Sequence, residues 1–196
     1  VREAKAGHVN GWRYLGHILH LLQDMTVPAH VLLDPHMDSN IDTYELELRK
    51  LNITDYCNKV GNCNKTNLGE PKTINTDEPD PYFIQLAAHT RDNFYSDDRY
   101  PSNLSDFPSS IVKCKDDSTY LCNSNIDNGN IQVADSRGWL NSLLKVPSSL
   151  GSEKKYYKIT DKVVASMFSY LGLQAVQYGA GLIKLFYYDV NPINPV

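Results

Sequence analysis

The chain has 196 residues, 41% of them hydrophobic and 21% charged. That is an ordinary balance for a globular protein, and the length suits one domain with a sizeable core. The formal charge of −4 argues against a protein that wraps nucleic acid non-specifically, yet leaves room for an enzyme that grips one phosphate through a metal.

The first segment, Glu3 to Met25, places apolar residues at Val9, Trp12, Leu15, Leu19 and Leu22, and these spacings of three and four predict a helix. Trp12 is expected in the core, with a place lining a cleft the alternative. His20 and Asp24 lie four residues apart near the helix end, so they share one face. Pro28 cannot continue the helix, so the chain turns just before His30. Zinc and similar borderline metals favour this mix of neutral imidazole and carboxylate, which makes His20, Asp24 and His30 candidate metal ligands. The plainer alternative is a helix end that carries two histidines without a metal. His8 lies about 120° around the helix from His20 and reads as a surface or supporting residue. His17, one turn before His20, fits either a hydrogen bond to a ligand or a polar place at a helix–helix seam.

A short helix is predicted from Asp42 to Leu51. Residues 52–80 contain Gly61, Gly69, Pro71 and Pro79 with little periodicity and read as a loop. Asp80 then serves as an N-cap and Pro81 as the first helical residue of a helix ending near Tyr95. His89 on it is expected to be structural or at the surface. Arg91 and Asp92 suit an exposed pair or support for a cleft. Ser96 to Asn130 is a second long loop, with room for short β-hairpins, and a helix is expected near Ser136 to Val146, with Trp139 in the core. Lys154 and Lys155 read as a solvated cluster. Thr160 caps the longest helix, which runs to about Tyr188. Its stretch Val163 to Ile183 is 21 residues without a charge, long enough for a membrane span. Its serines, glutamines and tyrosines suit a helix buried among other elements instead.

The four cysteines form two close pairs, Cys57 with Cys63 and Cys114 with Cys122. Neither has the CxxC knuckle of a zinc ribbon, so two local disulfides pinning the two loops are expected, with free thiols the alternative. Disulfides imply a secreted or periplasmic setting. The sequons at Asn52, Asn64 and Asn103 fit such a setting, although they are common by chance.

The stretch Leu15-Gly16-His17-Ile-Leu-His20-Leu-Leu-Gln-Asp24-Met-Thr-Val-Pro28-Ala-His30 resembles the signature of the zinc-dependent phospholipase C and P1 nuclease superfamily. That signature is a histidine, three residues, an aspartate, five residues and a second histidine, with proline two before the last. Asp34-Pro-His36 with Tyr44-Glu45 is similar to the family's next ligand segment. Leu86 to Ser96 and Gln174 to Ile183 resemble later stretches of its bacterial members. The resemblance implies a mainly α fold: a multi-helix phospholipase C/P1 nuclease-like bundle with two long, disulfide-pinned loops, residues 1–196 forming a single helical domain like the C-terminal portion of that fold. It implies up to three zinc ions. His20 and Asp24 would hold the first, and the catalytic Asp24 would bridge to another through its second oxygen. His30 would hold the remaining one, with His36 and Glu45 as downstream ligands. The family's histidine stands four residues before that glutamate, where this chain has Ile41, which cannot coordinate. His36 lies nine before Glu45, and Asp38 and Asp42 are substitutes. The family's other ligands, an amino-terminal tryptophan among them, precede the motif and have no counterpart before His20. The resemblance therefore calls for a separate N-terminal segment or chain to complete the site.

The function so implied is hydrolysis of a phosphodiester, with phospholipid ahead of single-stranded nucleic acid as substrate and no stable membrane span. The alternatives are a P1-type single-strand nuclease, a non-catalytic module that keeps part of the metal site, or one structural metal holding the Pro28 turn.

Overall fold

The structure is a computed structural model that describes residues 11–33, 43–50, 68–96, 107–126, 129, 131–136, 157 and 159–190. In chain order the elements are α1 (Gly11–Asp24), α2 (Pro28–Val31), α3 (Thr43–Lys50), α4 (Asp80–Asn93), β1 (Ile111–Lys113), β2 (Tyr120–Asn123), β3 (Gln132–Asp135) and α5 (Asp161–Val190).

The multi-helix bundle with two long loops expected from the sequence is corrected by a three-stranded antiparallel sheet, ordered β1-β2-β3, which begins in the second long loop and ends just beyond it. Val112 pairs with Cys122 and Leu121 with Ala134, with a bulge between Leu121 and Cys122. The central strand β2 is buried along its whole length, as a strand covered on both faces must be. Asp117 shapes the β1–β2 turn: its carboxylate accepts from the Thr119 amide at 3.1 Å and hydroxyl at 2.6 Å. Those bonds, joined by nearby Lys162, hold its carboxyl below the usual range. The Cys114–Cys122 disulfide closes this hairpin. Cys57 and Cys63, the predicted helix beyond Ser136, Trp139, Lys154, Lys155 and the three sequons lie outside the described residues.

Helix α5 is the spine, with 30 residues spanning about 45 Å. Its first half buries Val163, Val164, Met167 and Leu171 with Leu121, Val133 and Ala134 of the sheet, and with Tyr44 of α3 and Phe94. Its second half buries Tyr178 and Leu182 against Leu22 of α1 and Tyr82 and Leu86 of α4. Leu15 and Phe186 close the far end. Loop residues 68–72 cross the outside of α5: the Gln177 side-chain amide donates to the Leu68 carbonyl at 3.0 Å, and the Lys72 amide donates to the Gln177 carbonyl at 2.9 Å. The crossing is close enough that a Cβ at Gly181 would overlap the Lys72 carbonyl oxygen and reach 2.8 Å from the Tyr82 ring, so that position requires glycine.

Several local expectations change. Thr160 supplies the carbonyl that accepts from the Val164 amide at 2.8 Å, but its hydroxyl is buried without a partner and does not cap. The Asp161 carboxylate takes that place, accepting from the Lys162 amide at 2.9 Å. The N-cap of α4 is Pro79, with Asp80 already helical. Trp12 is mostly exposed rather than in the core. His17 is exposed as well, so it lies in no helix–helix seam. No helix among the described residues is long and apolar enough to cross a membrane.

Candidate metal centre

The centre is built where α1 ends. Successive amides of Met25, Thr26 and Val27 donate to the carbonyls of Leu22, Gln23 and Asp24 at 3.1, 2.9 and 3.0 Å, the i to i+3 pattern that tightens a last helical turn. The Thr26 hydroxyl adds a 2.7 Å bond to the Gln23 carbonyl. Pro28 then opens the single turn α2 from its first position, where its missing amide costs nothing. Pro28 and Ala29 are buried, and α2 packs on α4. His30, between them and solvent, is thereby turned back toward Asp24.

Glu45 arrives from α3. Its neighbour Tyr44 is buried in the main core at 1% exposure, which pins α3 to α5 and sets the carboxylate over α2. The result is a row of pairwise approaches. His20 Nε2 lies 3.9 Å from Asp24 Oδ2, His30 Nδ1 lies 4.0 Å from Asp24 Oδ1, and His30 Nε2 lies 3.6 Å from Glu45 Oε1. The two oxygens of Asp24 thus face different imidazoles. His36, Asp38 and Asp42 lie outside the described residues.

The donor set, two imidazoles and two carboxylates, suits zinc. Tetrahedral ligands at zinc–donor distances of about 2.0–2.2 Å stand roughly 3.3–3.6 Å apart, so each pair is within a few tenths of an ångström of that spacing. A single ion cannot take both nitrogens of His30, however. Among the described residues no group of three or more such side chains is placed to hold one ion. The fit is therefore that of two half-sites, His20 with Asp24 Oδ2 and His30 Nε2 with Glu45, set side by side because Asp24 Oδ1 faces the other nitrogen of His30.

Beside the centre, Leu33 has φ 52°, the one positive φ outside glycine among the described residues, and is 82% exposed. It follows α2 in the left-handed position where helices usually end on glycine. Arg91 and Asp92 form an exposed pair at 2.9 Å, away from any cleft role. His89 is a packing residue: its ring lies 5.6 Å from that of Tyr170, and its Nε2 is buried without a hydrogen-bond partner.

Sequence reasoning missed three residues that position the rest. Thr26 and Tyr44 act as above. Buried Asn123 donates through Nδ2 to the Asn93 carbonyl at 3.2 Å and side-chain oxygen at 3.1 Å, and accepts from the Asn125 amide at 3.0 Å. It ties the end of α4 to the sheet. An asparagine inside an Asn-rich loop carries no signal that marks it as buried. Tyr44, spaced by four from Leu48, did carry one.

Comparison with known proteins adds no relative: no family description, no curated protein and no solved structure matches this chain.

Proposed function

We propose that the chain is a zinc-dependent phosphodiester hydrolase of the phospholipase C and P1 nuclease type, acting on phospholipid. The observation that carries this reading is the Asp24 carboxylate, whose two oxygens face His20 and His30 while His30 also faces Glu45. One oxygen is thus available to an ion shared with His20, while the other faces the near nitrogen of the ring whose far nitrogen faces Glu45, the place of a carboxylate that orients a ligating histidine.

His20 and Asp24 would hold one ion, and His30 and Glu45 the other, with His36 a further donor. Zinc bound there would lower the pKa of a coordinated water and offset charge on a phosphate. The chain's own contribution is placement. The Thr26 bond and the buried Pro28 and Ala29 fix His30 relative to Asp24, and Tyr44 fixes Glu45. Substituting these four anchors leaves the ligand chemistry intact but loosens its geometry, which lowers affinity and rate. Secretion or a periplasmic setting is the compartment we propose, supported by the Cys114–Cys122 disulfide.

A second reading is favoured by a specific observation, the want of three converging donors among the described residues. It is a non-catalytic module that keeps part of a metal site. The two are separated by incubating the zinc-loaded chain with phosphatidylcholine and with single-stranded RNA. Release of phosphocholine supports the lipase reading, and cleavage of RNA alone shifts the substrate to nucleic acid. Inertness toward both overturns the hydrolase.

A further inference from the structure

Beside the crossing of residues 68–72, α5 carries an apolar stripe with exposed side chains. Val176, Ala180, Ile183 and Tyr187 recur at spacings of four, three and four, so they line one side of the helix. Val176, Ile183 and Tyr187 are exposed. On the flank toward α1, the Trp12 ring lies 5.2 Å from that of buried Phe186 at 65°. Tyr188 extends the stripe, 5.8 Å from Tyr187 at 70°. The five large side chains, Trp12, Val176, Ile183, Tyr187 and Tyr188, are between 43% and 63% exposed. Scattered exposed residues of this kind need no explanation, but a contiguous set does.

We infer that this face is a docking surface for a lipid bilayer, on which α5 lies parallel to the membrane plane. Three observations choose this occupant. First, tryptophan and tyrosine join an apolar ring to a polar edge, the combination that settles at the headgroup level of a bilayer. Second, the single charged residue between Val176 and Tyr188 is Lys184, exposed and 6.0 Å from the Tyr188 ring. A lysine at the margin of an apolar stripe suits lipid phosphate. Within the stripe itself a second copy of the chain would bring no carboxylate to pair with it, the nearest in α5 being Asp189 beyond its end. Third, the five side chains offer on the order of 500 Å² of surface, short of the ~800 Å² that each partner contributes to a standard protein interface. A single-stranded nucleic acid fits less well, because the steeply tilted rings form no parallel platform for successive bases.

The Trp12 and Tyr187 end of this surface lies near the start of α1, about 18 Å along the helix from Asp24, and its Val176 end runs back toward Leu22. The inference does not rest on the hydrolase reading. It is tested on the full chain by sedimentation with phosphatidylcholine vesicles, with and without phosphatidylserine, in excess chelator so that no lipid is consumed. The expected result is that the chain sediments with vesicles and that the double variant Ile183→Asn/Tyr187→Asn loses about tenfold in partitioning. Circular dichroism should show the same melt for both, and Leu33→Ser, just after α2, should bind as the parent does. The inference is overturned if the parent stays in the supernatant with both vesicles, or if the double variant binds equally well. It is also overturned if light scattering shows a dimer that the variant dissolves, or if polyuridylate is retained and vesicles are not. Cleavage of a soluble phosphodiester by the zinc-loaded chain reports on the hydrolase reading alone, so either idea can fail without the other.

Discussion

His89 and Leu33 show what single residues cost and supply here. Burial lowers the pKa of His89 below its ordinary 6.5, nearby Lys72 lowers it further, and Asp92 opposes them. A histidine with a depressed folded pKa binds fewer protons folded than unfolded. Its contribution is therefore intact above pH 6.5 and is lost as pH falls from there through the folded value. Thermal melts should show stability falling on acidification below pH 6.5, and His89→Phe should flatten that slope relative to the parent; equal slopes would exclude His89 as its source. Leu33 is a steric matter. A left-handed residue with a Cβ carries roughly 1–2 kcal/mol of strain, and glycine gives back about 0.5–1 kcal/mol in chain entropy. Leu33→Gly should thus raise unfolding free energy by about 0.5–1 kcal/mol in urea, and a loss of stability would show that the exposed side chain makes a contact that matters.

At the scale of elements, the hairpin of β1 and β2 depends on its cross-link. The disulfide joins residues eight apart, a loop whose closure is worth about 2–3 kcal/mol in the chain-entropy account. Cys114→Ser/Cys122→Ser should lower the urea midpoint accordingly, and hydrogen exchange should show the loss at residues 111–123 before the helices. The same hairpin marks where the sequence stops being legible. Helices α1, α3, α4 and α5 follow from apolar spacings and from Pro28 and Pro81, because a half-buried helix must repeat every three to four residues. The strands are three or four residues long, and β2 is buried on both faces, so no alternation betrays them in a loop rich in asparagine and serine. Trp12 stays out of the core for a related reason. Its spacing puts it on the flank of the apolar face, where it touches Phe186 by one edge and leaves the rest in solvent. In the candidate site, the nearness of His20 to Asp24 is a matter of helical spacing and was readable. That Glu45 meets His30 depends on the burial of Tyr44, a tertiary fact that only folding supplies.

At the scale of the molecule, α5 divides the core into a sheet half and a helix half, and the metal-centre residues come from elements on both sides. Tyr44, next to Glu45, is rooted in the sheet-side core, while Leu22, two residues before Asp24, is rooted in the helix-side core. An ion held between His30, which the Thr26 turn ties to the end of α1, and Glu45 would therefore link the two halves, and its binding should stabilise the fold as a whole. At free zinc a hundred times its Kd the gain is about 2.7 kcal/mol, which for a chain of this size raises Tm by roughly 5–10 °C. Zinc added to chelator-treated protein should produce that shift, and chelator should reverse it. Asp24→Asn keeps the shape but removes the shared charge, so it should weaken zinc affinity by at least the ~100-fold that loss of a merely supporting group can cause. Its Tm without zinc should stay near that of the parent, because Asp24 is partly exposed and makes no short contact among the described residues. Glu45→Gln should reproduce the loss of affinity if both halves hold metal. A zinc response that survives Glu45→Gln and vanishes with Asp24→Asn would confine the metal to His20 and Asp24, and the bridge between the two halves would then rest on packing alone.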